Sequence, residues 1–232
     1  MSLVKYGGGI VQMSGSIAGN TFARNRSGNY VRARTKPVNP NSLGQSNVRD
    51  ALSALSEDWR TELDAGQRLA WQVYANAISM KNRLGESIFL TGFNHFIRSN
   101  TELLNHKGVF IENGPTDLSL PTKDTLFACT GSVAAQLVSV AFDAAQTWNH
   151  VTGGHMWIYV GQPRAATRLF FAGPWKFGTG LDGNTATPLT SPKTFVPPYV
   201  LILGQVVTCY ARIQTVDGRI SEPFTSTFTV GA

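Results

Sequence analysis

Hydrophobic and polar positions change their period twice along this chain. From Gly7 to Asn41 glycine, serine and asparagine dominate, interrupted by short alternating patches such as Ile10-Val11-Gln12-Met13 and Tyr30-Val31-Arg32-Ala33-Arg34-Thr35. Alternation with turn residues at Gly15, Gly19 and Ser27-Gly28-Asn29 predicts short strands or a β-ribbon. The segment has too few large apolar side chains to build a core, so it is expected to gain order by adding a strand to its own body or to a partner's sheet edge. Lys36-Pro37-Val38-Asn39-Pro40-Asn41 predicts a stiff extended link, because each proline biases its predecessor away from helix.

After Ser42 the spacing becomes helical. Val48, Ala51, Leu52, Leu55 and Trp59 recur on one face and predict a first helix over about residues 44–63. Asp64 followed by Gln67 has the form of a capping box, and Ala70, Trp71, Tyr74, Ala77 and Ile78 predict a second helix behind it. Residues 82–87 read as a polar turn holding Gly85. Thr91 can cap a third helix that carries Phe93, Phe96, Ile97, Asn100, Leu103 and Leu104 and stops near Gly108. Three amphipathic helices with short connections predict a small bundle, and their aromatic stripe is its core rather than a cofactor box.

Beyond Asn113-Gly114-Pro115 the period falls to two. Strands are predicted at Phe127–Val133, Leu137–Phe142, Met156–Val160, Arg168–Ala172, Val206–Thr215 and Phe224–Val230. Asp217-Gly218 signals a two-residue hairpin turn joining the last strands, since such turns need residues that tolerate φ > 0. About 110 residues in roughly seven strands is the size of an immunoglobulin-like or fibronectin-III-like sandwich. Cys209 through Pro223 also resembles the penultimate strand and hairpin of fibronectin type III domains, whereas the long Gly/Pro-rich stretch Gly173 to Pro198 departs from that family. The expected fold class is therefore α+β multidomain: an extended β arm (1–43), a small three-helix segment (44–112) and a C-terminal all-β Ig/FnIII-like sandwich (113–232). Trp148 and Trp157 are candidate core tryptophans of the sandwich.

Charge sharpens this division. Of the 20 basic residues seven lie within residues 1–49 (Lys5, Arg24, Arg26, Arg32, Arg34, Lys36 and Arg49), a stretch with none of the 14 acids, so the rest holds 13 basic and 14 acidic groups and is close to neutral. A cationic arm points to an acidic or carbonyl-rich partner. Arg24, Arg26, Tyr30, Arg32, Arg34 and Lys36 are the candidate partner-binding residues. Interleaving with Phe22, Asn25, Asn29 and Tyr30 would also suit nucleic acid. Protein surface ranks first, because the arm lacks the Lys/Arg blocks of nucleic-acid tails.

Chemistry is sparse by comparison. Cys129 and Cys209 are the only cysteines and belong to no Cys-x-x-Cys or Cys/His cluster, so neither a disulfide framework nor a structural zinc site is indicated. Both fall in predicted strands, where an inter-sheet bridge and a pair of buried free thiols are both open. His95 and His106 sit eleven residues apart on one helix, and His150 and His155 flank a turn. No Gly-Lys-Ser/Thr follows Gly7-Gly8-Gly9, and no Gly-x-Ser-x-Gly elbow occurs. A non-enzymatic protein without cofactor or metal is expected. No window approaches a membrane span, and the start lacks the pattern of a signal peptide, so neither membrane insertion nor export by that route is expected.

Ser14-Gly15-Ser16-Ile17-Ala18-Gly19-Asn20-Thr21-Phe22-Ala23-Arg24-Asn25-Arg26, the run Arg32 to Asn41, Gln67-Arg68-Leu69-Ala70-Trp71 and Leu90 to Asn100 together resemble a group of proteins of tailed bacteriophages and prophages. The resemblance covers residues 14 to about 104 and implies a virion structural protein. It brings no catalytic residues. A strand-forming arm beside a compact body agrees with that implication, and the expected function is a head decoration or cement protein bound to the capsid through its arm. A tail, collar or fibre component is the alternative, and a nucleic-acid-binding protein the second. Phage capsid or tail proteins are then the expected partners, with a homo-oligomer formed and the virion, assembled in the host cytoplasm, as the location.

Overall fold

A computed structural model of the chain describes residues 2–10, 12–25, 28–35, 38–81, 86–168 and 170–232. Among the described residues three α-helices and several antiparallel sheets make it an α+β protein. It divides into two compact units, Met1–Leu43 and Gly44–Ala232.

The first unit is a four-stranded antiparallel sheet of β1 (Ser2–Leu3), β2 (Gly15–Ile17), β3 (Asn20–Asn25) and β4 (Gly28–Ala33), in the order β1-β4-β3-β2. The expectation that this segment must borrow a sheet is corrected: its strands pair with one another. Two hairpins in succession satisfy backbone N–H and C=O groups locally, and that needs no core. Gly15 opens β2 rather than making a turn; the β2–β3 turn is Ala18-Gly19, with Ala18 at φ 51°. No described residue of this sheet is buried.

The second unit begins within the first turn of α1 (Leu43–Thr61) and continues with α2 (Ala65–Ala77) and α3 (Gly92–Lys107). The predicted cap of α2 forms in full: Asp64 Oδ1 accepts from the Gln67 N–H at 2.7 Å and Gln67 Oε1 accepts from the Asp64 N–H at 2.9 Å. Thr91 caps α3 through the Asn94 N–H, and Gly108 ends it in the left-handed region. Leu55, Leu63, Trp71, Tyr74, Ile78 and Phe96 form the helical core, with Trp59 against Phe93 and Phe96. Val48 and Leu52, assigned to the stripe by spacing, are exposed. The polar turn between α2 and α3 is flanked by a hairpin that the pattern did not reveal, β5 (Ser79–Lys81) with β6 (Ser87–Phe89); residues 82–85, Gly85 among them, lie outside the described residues.

Seven strands follow: β7 (Ala128–Ser132), β8 (Leu137–Ala141), β9 (His155–Gly161), β10 (Trp175–Asp182), β11 (Lys193–Phe195), β12 (Val206–Gln214) and β13 (Phe224–Thr229). They form two antiparallel sheets, β11-β8-β7 and β10-β9-β12-β13. The sheets face each other across Val138, Val140, Ile158, Val160, Cys209 and Ile213, all within one core. Of the strand expected at Arg168–Ala172, the described residues 168 and 170–172 are not in a strand, and Leu169 lies outside the described residues. Two strands lie instead inside the Gly/Pro-rich stretch, because glycines there serve packing: a Cβ at Gly178 would meet the Phe195 ring at 2.7 Å, and one at Gly180 the Trp157 ring at 2.7 Å. Trp148 belongs to the inter-sheet core, but Trp157 is buried on the opposite face.

That outer face carries the helices. Along β12, Val207, Cys209, Ala211 and Ile213 point into the core, while Tyr210, Arg212 and Gln214 point away from it. Gln214 joins the layers, accepting from Trp157 Nε1 at 2.6 Å and donating to the Ser99 carbonyl of α3 at 2.7 Å. His106, on the last turn of α3, stacks on Phe177 with ring centroids 3.6 Å apart. The turn after β12 is longer than predicted, a three-residue loop closed by Thr215 N–H to Arg219 C=O at 3.0 Å. Gly218 takes the left-handed position (φ 88°) with its α-carbon turned to the Trp71 ring. Gly218→Ala is therefore expected to destabilise the second unit by about 1–3 kcal/mol, read as a lowered urea midpoint with unchanged slope.

Candidate functional site

Two places combine unpaired charge with accessible surface. The first is the N-terminal sheet. Its register pairs Phe22 with Val31, Ala23 with Tyr30 and Thr21 with Arg32. Since neighbours along a strand alternate faces, Tyr30 and Arg32 share one face with Leu3 of β1, and Arg34 continues that alternation just beyond β4. Arg24 pairs with Asn29 and lies on the opposite face, beside Phe22 and Val31, its guanidinium donating to Gln12 Oε1 at 3.3 Å. The predicted set is thus divided: Tyr30, Arg32 and Arg34 are brought together, Arg24 is not, and Arg26 and Lys36 lie outside the described residues. Arg32 and Arg34 are exposed. With no Asp or Glu before Asp50, no carboxylate of this unit can neutralise them. Among the described residues no further strand pairs with the outer strands β1 and β2.

The second place was not singled out by sequence reasoning. Where α3 lies on the four-stranded sheet, Arg98 and Arg212 approach each other. The Arg98 guanidinium makes one long bond to the Ser221 carbonyl, 3.4 Å, and burial, then the neighbouring Arg212 charge, lowers its pKa to about 10. Arg212 Nε is buried without a hydrogen-bond partner. Glu102, the nearest acid of α3, is engaged with His106 at 3.2 Å and lies beside the Tyr159 hydroxyl, whose pKa burial and this carboxylate both raise. Around the two arginines runs a row of rings: Phe171 against Trp175 (4.9 Å), Trp175 against Tyr210 (4.8 Å), Tyr210 stacked on Tyr159 (4.6 Å) and Tyr159 against Phe177 (5.8 Å). The signal for this row lay in the alternation of β12, which reserves Tyr210 and Arg212 for the face opposite Cys209 and Ala211.

The remaining candidates are structural. His155 Nδ1 lies 2.8 Å from Asp182 Oδ1, and Lys107 Nζ reaches the same carboxylate at 2.6 Å. His150 Nε2 instead lies 2.9 Å from the Ala144 carbonyl, so the two histidines have different partners. Among the described residues no cluster of three His, Cys, Asp or Glu side chains is placed to hold a metal ion. Cys129 and Cys209 are free and buried.

No family model and no curated protein matches the chain. Among solved structures, a family 76 glycoside hydrolase from a bovine Bacteroides thetaiotaomicron strain is 12% identical with a TM-score of 0.33, covering 49% of this chain; the chain spans 21% of its length. The third fibronectin III domain of human KIAA0343 protein is 12% identical with a TM-score of 0.31, covering 52% of this chain and 91% of its own.

His95 makes the helical layer sensitive to pH. Its ring is buried against Tyr74 with neither nitrogen hydrogen-bonded, and burial, followed by the Arg98 charge, lowers its pKa from 6.5 to about 4. Between these values the unfolded chain binds the proton and the folded chain does not. Stability is thus full above pH 6.5 and falls as pH drops through that window. His95→Phe is expected to flatten this part of the stability curve, measured by urea unfolding from pH 7 down to about 4.

Proposed function

We propose that this chain is a structural protein of a tailed-bacteriophage virion, a head decoration protein held on the capsid by its N-terminal unit. In this reading residues 113–232 are an immunoglobulin- or fibronectin-III-like sandwich, presented outward or used to build a homo-oligomer. The observation that carries the proposal is a sheet with cations and no acid of its own, outer strands that no further described strand pairs with, and no buried described residue. A four-stranded sheet without a core is marginal alone, and burying one face on a neighbouring subunit supplies the missing apolar contact.

The grouping of Tyr30, Arg32 and Arg34 with Leu3 supports a flat docking face in which guanidinium forks meet carboxylates or carbonyls around an aromatic anchor. The separate location of Arg24 speaks against a single basic track of the kind that follows a phosphate backbone. The two-unit division supports removal of the arm without loss of the body.

Deleting residues 1–41 is expected to abolish incorporation into particles while the remainder stays folded by circular dichroism. Arg32→Ala with Arg34→Ala is expected to weaken incorporation by about tenfold or more, read by quantitative blotting of purified particles. Normal incorporation of the truncated chain would overturn the proposal. Gel-shift binding to DNA that falls steeply with salt and is lost in the double variant would replace it with the nucleic-acid reading.

A further inference from the structure

The outer face of the four-stranded sheet is only partly roofed by α3. Next to the roofed part is a groove of about 330 Å³ lined by Trp175, Tyr210, Arg212, Pro223 and Thr225. Its walls follow from the strand register. Tyr210 of β12 stands opposite Thr225 of β13, and the Trp175 ring meets Tyr210 edge-on at 88°. One wall is therefore a part-buried indole, the floor a phenol ring, and the far rim a short hydroxyl side chain that is exposed.

The end of this groove is closed by a cation lacking a counter-ion. Arg212 lies with its guanidinium carbon 6.0 Å from the Tyr210 ring centroid, its buried Nε has no acceptor, and no carboxylate among the described residues is within ion-pair distance of it. The acids nearby are engaged elsewhere, Glu102 with His106 and Glu222 with Lys123 at 2.6 Å. The positive charge of Arg98 is near enough to repel it. A part-buried guanidinium with open donors, set beside another of the same sign, is costly in the unliganded protein. An anion in the groove removes that cost. By contrast Arg164 spends its donors on Thr208 Oγ1 at 2.8 Å and the Arg168 carbonyl at 3.0 Å, and lies over Phe171.

We propose that this groove binds an acidic saccharide, with a uronate or sialate carboxylate on Arg212 and the sugar ring against Trp175. The guanidinium fork matches a carboxylate bidentately. The indole face matches the C–H face of a pyranose ring, which aligns polarised C–H bonds with the negative π surface. Thr225 offers a hydroxyl to a ring substituent. Single-stranded nucleic acid fits less well, because tracking a phosphate backbone needs a row of open cations and the groove has one. The inference stands apart from the capsid reading, since it concerns the second unit alone.

The test uses the full chain, titrated with an oligogalacturonide, an oligosialic acid, a neutral galacto-oligosaccharide and oligothymidylate, followed by calorimetry and tryptophan fluorescence. At least one of the two acidic oligosaccharides should bind, the neutral one at least about tenfold more weakly. Arg212→Met should abolish binding while the melting temperature stays level or rises, since it removes an unpaired charge; a residue held only for structure would not combine these results. Should that variant fail to fold, Thr225→Trp fills the groove from its exposed rim and should lose binding with an unchanged melting temperature. The proposal is overturned if neither acidic oligosaccharide binds, if the neutral one binds equally well, if binding survives in both variants, or if oligothymidylate alone binds.

Discussion

The double burial of β12 governs the second unit. One face of this strand closes the inter-sheet core with Val207, Cys209, Ala211 and Ile213, while part of the other is covered by α3. A strand covered on both sides must find partners for every polar group it carries outward. Gln214 does so fully, tying Trp157 to the Ser99 carbonyl, and this bond pair fixes where the helical layer sits on the sheet. Replacing it with an apolar side chain of similar size would leave the Trp157 indole N–H without a partner in a dry interface and the Ser99 carbonyl with its intrahelical bond alone.

Not every outward group is satisfied. His95, Tyr74 and Arg212 each keep a buried polar atom without a hydrogen bond, and all three lie in or beside the helix–sheet layer. Burial answers differently for each. The His95 proton is released and the Tyr74 proton held, its pKa raised to about 12, so both rings stay neutral. An arginine has no such escape, because its guanidinium keeps its charge at any ordinary pH. That asymmetry is why the arginine pair, rather than the buried histidine or tyrosine, marks a binding position.

The first unit follows the opposite logic. Its strands satisfy the backbone by pairing, yet no described side chain is buried, so hydrogen bonding fixes its shape while burial adds little. Its cations also have no carboxylate of the same unit to pair with. Such a sheet has its exposed faces already formed but little stability of its own, a combination that suits docking more than independent function.

Local signals in the chain were sufficient for much of this. The Asp64/Gln67 box and the Thr91 cap are decided within four residues, so helix starts were legible; α3 and β12 were legible because their periods are long and unbroken. The confinement of acids to positions beyond 49 fixed the cationic character of the first unit without any structure. Other features required the three-dimensional arrangement. β10 was hidden because Gly178 and Gly180 are loop residues by composition and strand residues only once Phe195 and Trp157 occupy the space a Cβ would need. Trp157 read as core of the sheets but is covered by α3, since period two gives the alternation of faces and says nothing of which layer covers each. The division of Arg24 from Tyr30, Arg32 and Arg34 depends on the register in which β3 pairs with β4, and the want of a counter-ion at Arg212 on contacts between segments distant in sequence. Near-neighbour chemistry sets the elements; which side chains meet, and which charges are left unmet, is decided by contacts that only the folded chain brings together.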